Sequence, residues 1–238
     1  MTGLDVARTL RLFAIDMGGM LARMAVGDAR TLPSSAKENG LAEISVTCAR
    51  ALERAGIRLE VIGRDRVPLH GGFVFMWNQE SHLDHLVLPV AIPRPFFSIY
   101  NNAIARFPIY GRHMKRSGHV HVDRTDESQW RASVARAAER VSSGECVLVS
   151  PEGTRSRGGE LLPMKRGAFI LAEQSRRPIV CVTVVGGHER LPRGSAIVRA
   201  GSMRVVLSEP MEEPDKDLVA HTFETTKRAY APNRSGPS

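Results

Sequence analysis

Two short apolar runs break off at crowds of polar residues, and this pairing constrains the fold more than anything else in the chain. Gly72-Phe73-Val74-Phe75-Met76-Trp77 runs into Asn78-Gln79-Glu80-Ser81-His82-Leu83-Asp84. Much later, Cys146-Val147-Leu148-Val149 runs into Ser150-Pro151-Glu152-Gly153-Thr154-Arg155-Ser156. Short apolar runs rich in β-branched and aromatic residues read as buried strands. Polar side chains at the end of such a strand serve no backbone pairing. In α/β proteins that edge is where ligands bind, so both clusters are candidates for chemistry.

The rest of the chain fits the same architecture. Residues 4–26 read as an amphipathic helix, with Leu10, Phe13, Met17, Met20, Leu21 and Met24 at helical spacing. It docks on its own domain or a partner, or lies in a lipid interface. Residues 27–40 hold Gly27, Pro33, Asn39 and Gly40 and read as a loop. A helix follows, with Leu41, Ile44, Cys48, Leu52 and Ala55 on one face and Gly56 as its stop. Strands are expected at 57–62, 96–100, 119–124 and 178–185, and a hairpin over 196–208 turning at Ala200-Gly201-Ser202. Helices are expected at 85–90, from a cap at Thr125 or Asp126 to Gly144, at 165–174 and at 216–230. The last has Leu218, Val219, Thr222, Phe223 and Ala229 inward. Alternating strands and helices predict an α/β fold with a mostly parallel central sheet flanked by helices. The expected division is an N-terminal helical segment (1–56), an α/β domain (57–230) and a disordered tail (231–238).

Charge narrows the partners. The chain carries 33 Lys and Arg against 25 Asp and Glu, a net +8, which favours an anionic partner. Nucleic acid is disfavoured, because aromatics are 5% of residues and no basic run is interleaved with them. Cys48, Cys146 and Cys181 are far apart, two of them within apolar runs. They read as core residues in a reducing compartment, without disulfide or metal-ligand spacing. His119 and His121 share a strand face but lack a third ligand, so no metal is expected. No run approaches the roughly 18 apolar residues of a membrane span, which predicts a soluble or peripheral protein.

From residue 57 to about 210 the chain resembles the glycerophospholipid acyltransferase superfamily, whose bacterial type is 1-acylglycerol-3-phosphate acyltransferase. Four motifs in order carry the resemblance. They are Asn78 to Asp84, Val122-Asp123-Arg124 after Pro108-Ile109-Tyr110-Gly111, Pro151-Glu152-Gly153-Thr154-Arg155, and Pro178-Ile179-Val180. Lys165-Arg166-Gly167 fits a downstream basic–glycine pair. The resemblance implies a fatty acyl group moved from acyl-CoA or acyl carrier protein to a lysophospholipid or glycerol-phosphate-like acceptor, with no bound cofactor. It implies acceptor binding by Arg124, Glu152, Gly153, Thr154, Arg155 and Lys165. Arginine suits this role, since it grips a phosphate through two parallel charge-assisted hydrogen bonds. The implied setting is cytoplasmic, peripheral on the inner face of a membrane.

The first motif departs from the family. Where the family has a histidine, as general base oriented by the aspartate of the motif, this chain has Gln79. A neutral amide accepts no proton near neutral pH, and a general base is worth roughly 10²–10⁴ in rate. Three substitutes stay open: His82 as base with Asp84 or Glu80 orienting it, His85 as base, or Gln79 merely positioning the acceptor hydroxyl. The alternative function is a catalytically impaired, lipid-phosphate-binding or regulatory module of the same fold.

Overall fold

A computed structural model describes residues 34–106, 110–212 and 215–230. The expected helix at 4–26 and the tail at 231–238 lie outside them. The elements are α1 (Ser34–Arg54), β1 (Ile57–Ile62), β2 (Val74–Trp77), α2 (Asp84–Ala91), β3 (Phe96–Asn101), α3 (Asn102–Ala105), α4 (Tyr110–Arg116), β4 (Val120–Val122), α5 (Glu127–Ser142), β5 (Cys146–Val149), α6 (Arg166–Ser175), β6 (Ile179–Val185), α7 (Gly187–Arg190), β7 (Gly201–Leu207) and α8 (Lys216–Tyr230).

The seven strands form one sheet in the order β1-β7-β6-β2-β5-β3-β4. β6, β2, β5, β3 and β4 are mutually parallel, while β7 pairs antiparallel with β6 and parallel with β1. The mostly parallel sheet is as expected. β2 shows why its sequence is unbroken by polar residues. Phe73, Phe75 and Trp77 pack with α1 and α2 on one face, and Val74 and Met76 pack with α5, α6 and α8 on the other. A parallel strand covered on both faces has no side left for water.

Three local expectations are corrected. α1 begins at Ser34, so 34–40 are helical rather than loop. Gly40 costs about 1 kcal/mol in a helix, too little to stop one flanked by helix formers. Ile44 is 49% exposed, because full burial starts only at Cys48 and continues through Ala51, Leu52 and Ala55. There is no hairpin at 196–208. Residues 201–207 are a single strand, whose antiparallel neighbour is β6 (Val182 opposite Leu207) rather than 196–200. The segment before it closes back on α7, with the Arg199 N–H on the Arg190 carbonyl at 2.8 Å.

α8 starts and ends as predicted, but its buried stripe is narrower. Val219 and Phe223 are fully buried, whereas Leu218 is 47% exposed and Ala229 faces outward. One residue turns a helix by about 100°, which carries Leu218 off the stripe. Phe223 joins α8 to Val74, Met76 and Leu171 in the second core. Phe223→Ala is expected to cost about 3–5 kcal/mol, read as a lower urea midpoint with an unchanged m-value.

Candidate active site at the carboxyl edge of the sheet

Because β2, β4, β5 and β6 run parallel, the residues that follow them all emerge at one edge: Asn78, Asp123-Arg124, Ser150 and Gly186. Asn78 is the first residue past β2 and is almost completely buried. Its side-chain oxygen accepts the Val184 N–H at 2.7 Å and its amide donates to the Val184 carbonyl at 2.9 Å. The side chain thus extends the β2–β6 ladder by one rung while the main chain turns away.

The turn that follows is held by carboxylates. Asp84 Oδ2 accepts the N–H groups of Glu80 and Ser81, both at 2.8 Å. Asp84 Oδ1 is buried without a hydrogen-bond partner. It lies close to Gly187, where an added Cβ would come within 2.8 Å of it. Burial raises the Asp84 pKa well above the carboxylate range, only partly offset by the Ser81 amide, and the nearby Glu80 charge raises it further. Glu80, also buried, accepts from the Gly187 N–H at 2.9 Å, the His188 N–H at 3.4 Å and the Lys227 ammonium. Burial opposes ionisation of Glu80, but His188 and Lys227 more than offset it and its pKa ends below the usual value.

The second cluster locks onto the first. Glu152 accepts the Gln79 N–H at 2.8 Å on one oxygen and the Leu162 N–H at 2.7 Å on the other. The Ser156 N–H donates to the Gln79 carbonyl at 2.9 Å. Gln79 is therefore pinned through its backbone on both sides. Gly153 sits in the left-handed region (φ 67°), and an added Cβ would lie 2.6 Å from a guanidinium nitrogen of Arg124. Arg124 reaches the Gly153 carbonyl at 3.4 Å. Glycine is required there both for the turn and for the arginine's approach. Beside them opens a cavity of about 440 Å³, walled by Ile99, Val122, Trp130, Val134 and Val149, with Arg124 and Lys165 among its lining residues.

His82 is solvent-exposed on the same edge. Partial desolvation, then the Arg155 charge, lowers its pKa. His85 rests against Trp77, ring centroids 5.6 Å apart and nearly perpendicular. Arg155 is half-buried, and its carbonyl accepts from Arg193 at 2.9 Å.

The structure thus brings Gln79, His82, Asp84, Glu152 and Arg155 together, with Arg124 and Lys165 at the cavity and Gly153 against Arg124, while Thr154 is exposed. Both oxygens of Glu152 are spent on main-chain amides rather than on an arginine or an acceptor hydroxyl. Asp84 is bound to Glu80 and Ser81 rather than to His82. Asn78 and Lys227 were missed. Lys227 had a readable signal: with Val219 and Phe223 it makes an i, i+4, i+8 series, placing a lysine on a buried stripe. Among the described residues no three His, Cys, Asp or Glu side chains converge as a metal site.

The family model described as Acyltransferase matches residues 58–185, and the chain belongs to that family. A chloroplastic 1-acyl-sn-glycerol-3-phosphate acyltransferase from Brassica napus is 33% identical over 147 residues, 61% of this chain and 42% of the relative. One from Helicobacter pylori is 26% identical over 85% of this chain and 76% of its own length. The chain spans about half the length of the first curated relatives it matches. The crystal structure of the 1-acyl-sn-glycerophosphate acyltransferase PlsC from Thermotoga maritima has the same fold, with a TM-score of 0.78 over 98% of both chains at 20% identity.

Asn78→Ala would strand the Val184 N–H and carbonyl in the core. It is expected to destabilise the protein by about 2–4 kcal/mol, measured by urea unfolding.

Proposed function

We propose that this chain is an O-acyltransferase that moves a fatty acyl group from acyl-CoA or acyl carrier protein to the hydroxyl of a lysophospholipid or glycerol-phosphate-like acceptor. One observation carries the reading: Arg124 and Lys165 border an apolar-walled cavity at the same sheet edge as the motif of His82 and Asp84. Such an arrangement suits a phosphate at the rim and a hydrocarbon chain within, and Arg155 adds a second guanidinium. The +8 charge supports attraction to an anionic lipid surface, and hence a peripheral position on the cytoplasmic face of a membrane. Among the described residues, no helix is long and apolar enough to cross a membrane.

In the reaction, the acceptor hydroxyl oxygen attacks the thioester carbonyl carbon. A C–O bond forms, the C–S bond breaks, and the thiolate leaves. The hydroxyl proton goes to His82, which returns it to the thiolate or to water. His82 is chosen over His85 because the His85 ring packs edge-on against Trp77 and desolvation pushes its pKa down to about 4, which makes it a poor proton acceptor near neutral pH. Gln79 holds the loop through its backbone and offers its amide to the acceptor. The impaired, phosphate-binding module is the second reading. The observation in its favour is the buried Asp84 Oδ1, which has no hydrogen-bond partner.

Acyl transfer in mixed micelles with lysophosphatidate decides between them. With His82 as base, His82→Ala loses roughly 10²–10⁴-fold in kcat while staying folded. A neutral base fails as it protonates, so kcat/KM falls with decreasing pH through the pKa of His82. That acid limb lies below the ordinary imidazole value of about 6.5. Arg155→Gln moves the limb upward, because it removes a cation that disfavours the imidazolium. An inert parent that gains activity on Gln79→His establishes the module instead.

A further inference from the structure

The last helix reaches the site through one side chain. Lys227, in the final turn of α8, donates to the Glu80 carboxylate and, at 2.5 Å, to the Gly159 carbonyl. Its side chain is 17% exposed and that of Glu80 is 3% exposed. One half-buried cation is thus bonded both to the loop after β2 and to the loop after β5. Those loops carry His82 and Asp84 on one side and Glu152, Gly153 and Arg155 on the other.

On their near side the loops are joined by backbone. Gln79 bonds Glu152 and Ser156, and the Ser156 hydroxyl accepts the Gly159 N–H at 3.2 Å. Lys227 closes the far side. The second oxygen of Glu80 takes the N–H groups of Gly187 and His188, so the loop after β6 is held by the same carboxylate. The groups facing Glu80 are Lys227, the His188 ring at 3.9 Å, the Asn78 amide at 3.5 Å, Asp84 and Glu152. α8 does not need Lys227 in order to dock, since Val219 and Phe223 seat it in the second core.

We propose that Lys227 is a positioning residue for acyl transfer. By bonding Glu80 and the Gly159 carbonyl together, it sets the register between the loop bearing the proton acceptor and the loop bearing the phosphate-holding arginine. The inference rests on the acyltransferase reading. It assigns the C-terminal helix a part in the chemistry, although α8 lies outside the matched family region. A displacement of about 1 Å between reacting groups is enough to cost roughly 10²-fold in rate.

The test compares the full chain with Lys227→Met, Lys227→Arg and Glu80→Gln/Lys227→Met. The readouts are kcat, acceptor KM, unfolding midpoint and amide hydrogen exchange. Lys227→Met is expected to lower kcat by roughly 10- to 100-fold with acceptor KM changed less than about twofold. Faster exchange is expected at residues 79–81 and 156–159 and nowhere else in the sheet. Lys227→Arg, which keeps the cation and its donors, recovers part of the rate. The double variant removes the stranded carboxylate, so it recovers stability but not kcat, because the tie to Gly159 is still missing. Recovery of kcat together with stability in the double variant overturns the proposal, as does a kcat loss that only tracks the folded fraction. If the parent transfers no acyl group from either donor, the acyltransferase reading fails. Exchange then decides separately whether Lys227 sets the register: local loss of protection in Lys227→Met supports it, and unchanged or uniform exchange overturns it.

Discussion

At the carboxyl edge of the sheet the strands end while the chain is still buried, and the main-chain amides beyond them must find acceptors. Side chains supply them. Asn78 serves Val184, Asp84 serves Glu80 and Ser81, Glu80 serves Gly187 and His188, and Glu152 serves Gln79 and Leu162. Buried N–H groups left without partners are rare in proteins because each costs about as much as a lost hydrogen bond. Three buried carboxylates in one small region would be prohibitive if they stood alone. They are tolerated because each accepts main-chain hydrogen bonds and one also meets an ammonium. The same groups that shape the site thus satisfy the ends of the strands.

This dual duty explains what a motif reading shows and what it hides. The glutamate of Pro151–Arg155 lies beside residues suited to phosphate, which invites a role towards substrate. In the fold it ties two loops together. Asn78 falls outside a search for acids and bases, yet it continues the β2–β6 ladder. The position of Gln79 is fixed by its own N–H and carbonyl, which any residue would supply. Its side chain is therefore free to vary without disturbing the loop, which accommodates an amide at the position where the resemblance implies an imidazole.

Most of the architecture was legible because the strands are buried on both faces and so read as short, unbroken apolar runs. β1 and β5 fall where the pattern put them, β3 and β6 differ by about one residue and β2 by two. Asp126 caps α5 on the Gln129 N–H, as its residue type and place suggested. The failures have tertiary causes. The 196–208 segment has the composition of a hairpin, but strand partners are chosen by the whole sheet, and β6 and β1 were available to β7. Leu218 and Ile44 are apolar and stay outside because the body covers only part of each helix. Lys227 belongs to no motif in the sequence. Only contact with a residue 147 positions earlier gives it a purpose.

That separation has a consequence for how the protein is made. Chains emerge from the amino end and domains begin to fold as they appear, so the motif at 78–84 and the segment at 150–159 exist long before α8. Until synthesis passes residue 227, Glu80 is a carboxylate with no ammonium beside it, and the core face that Phe223 covers is open. The nascent protein therefore carries all the residues that define its family and still lacks a finished edge. Of the described elements α8 is the last to be made, and the edge is closed only once it has docked.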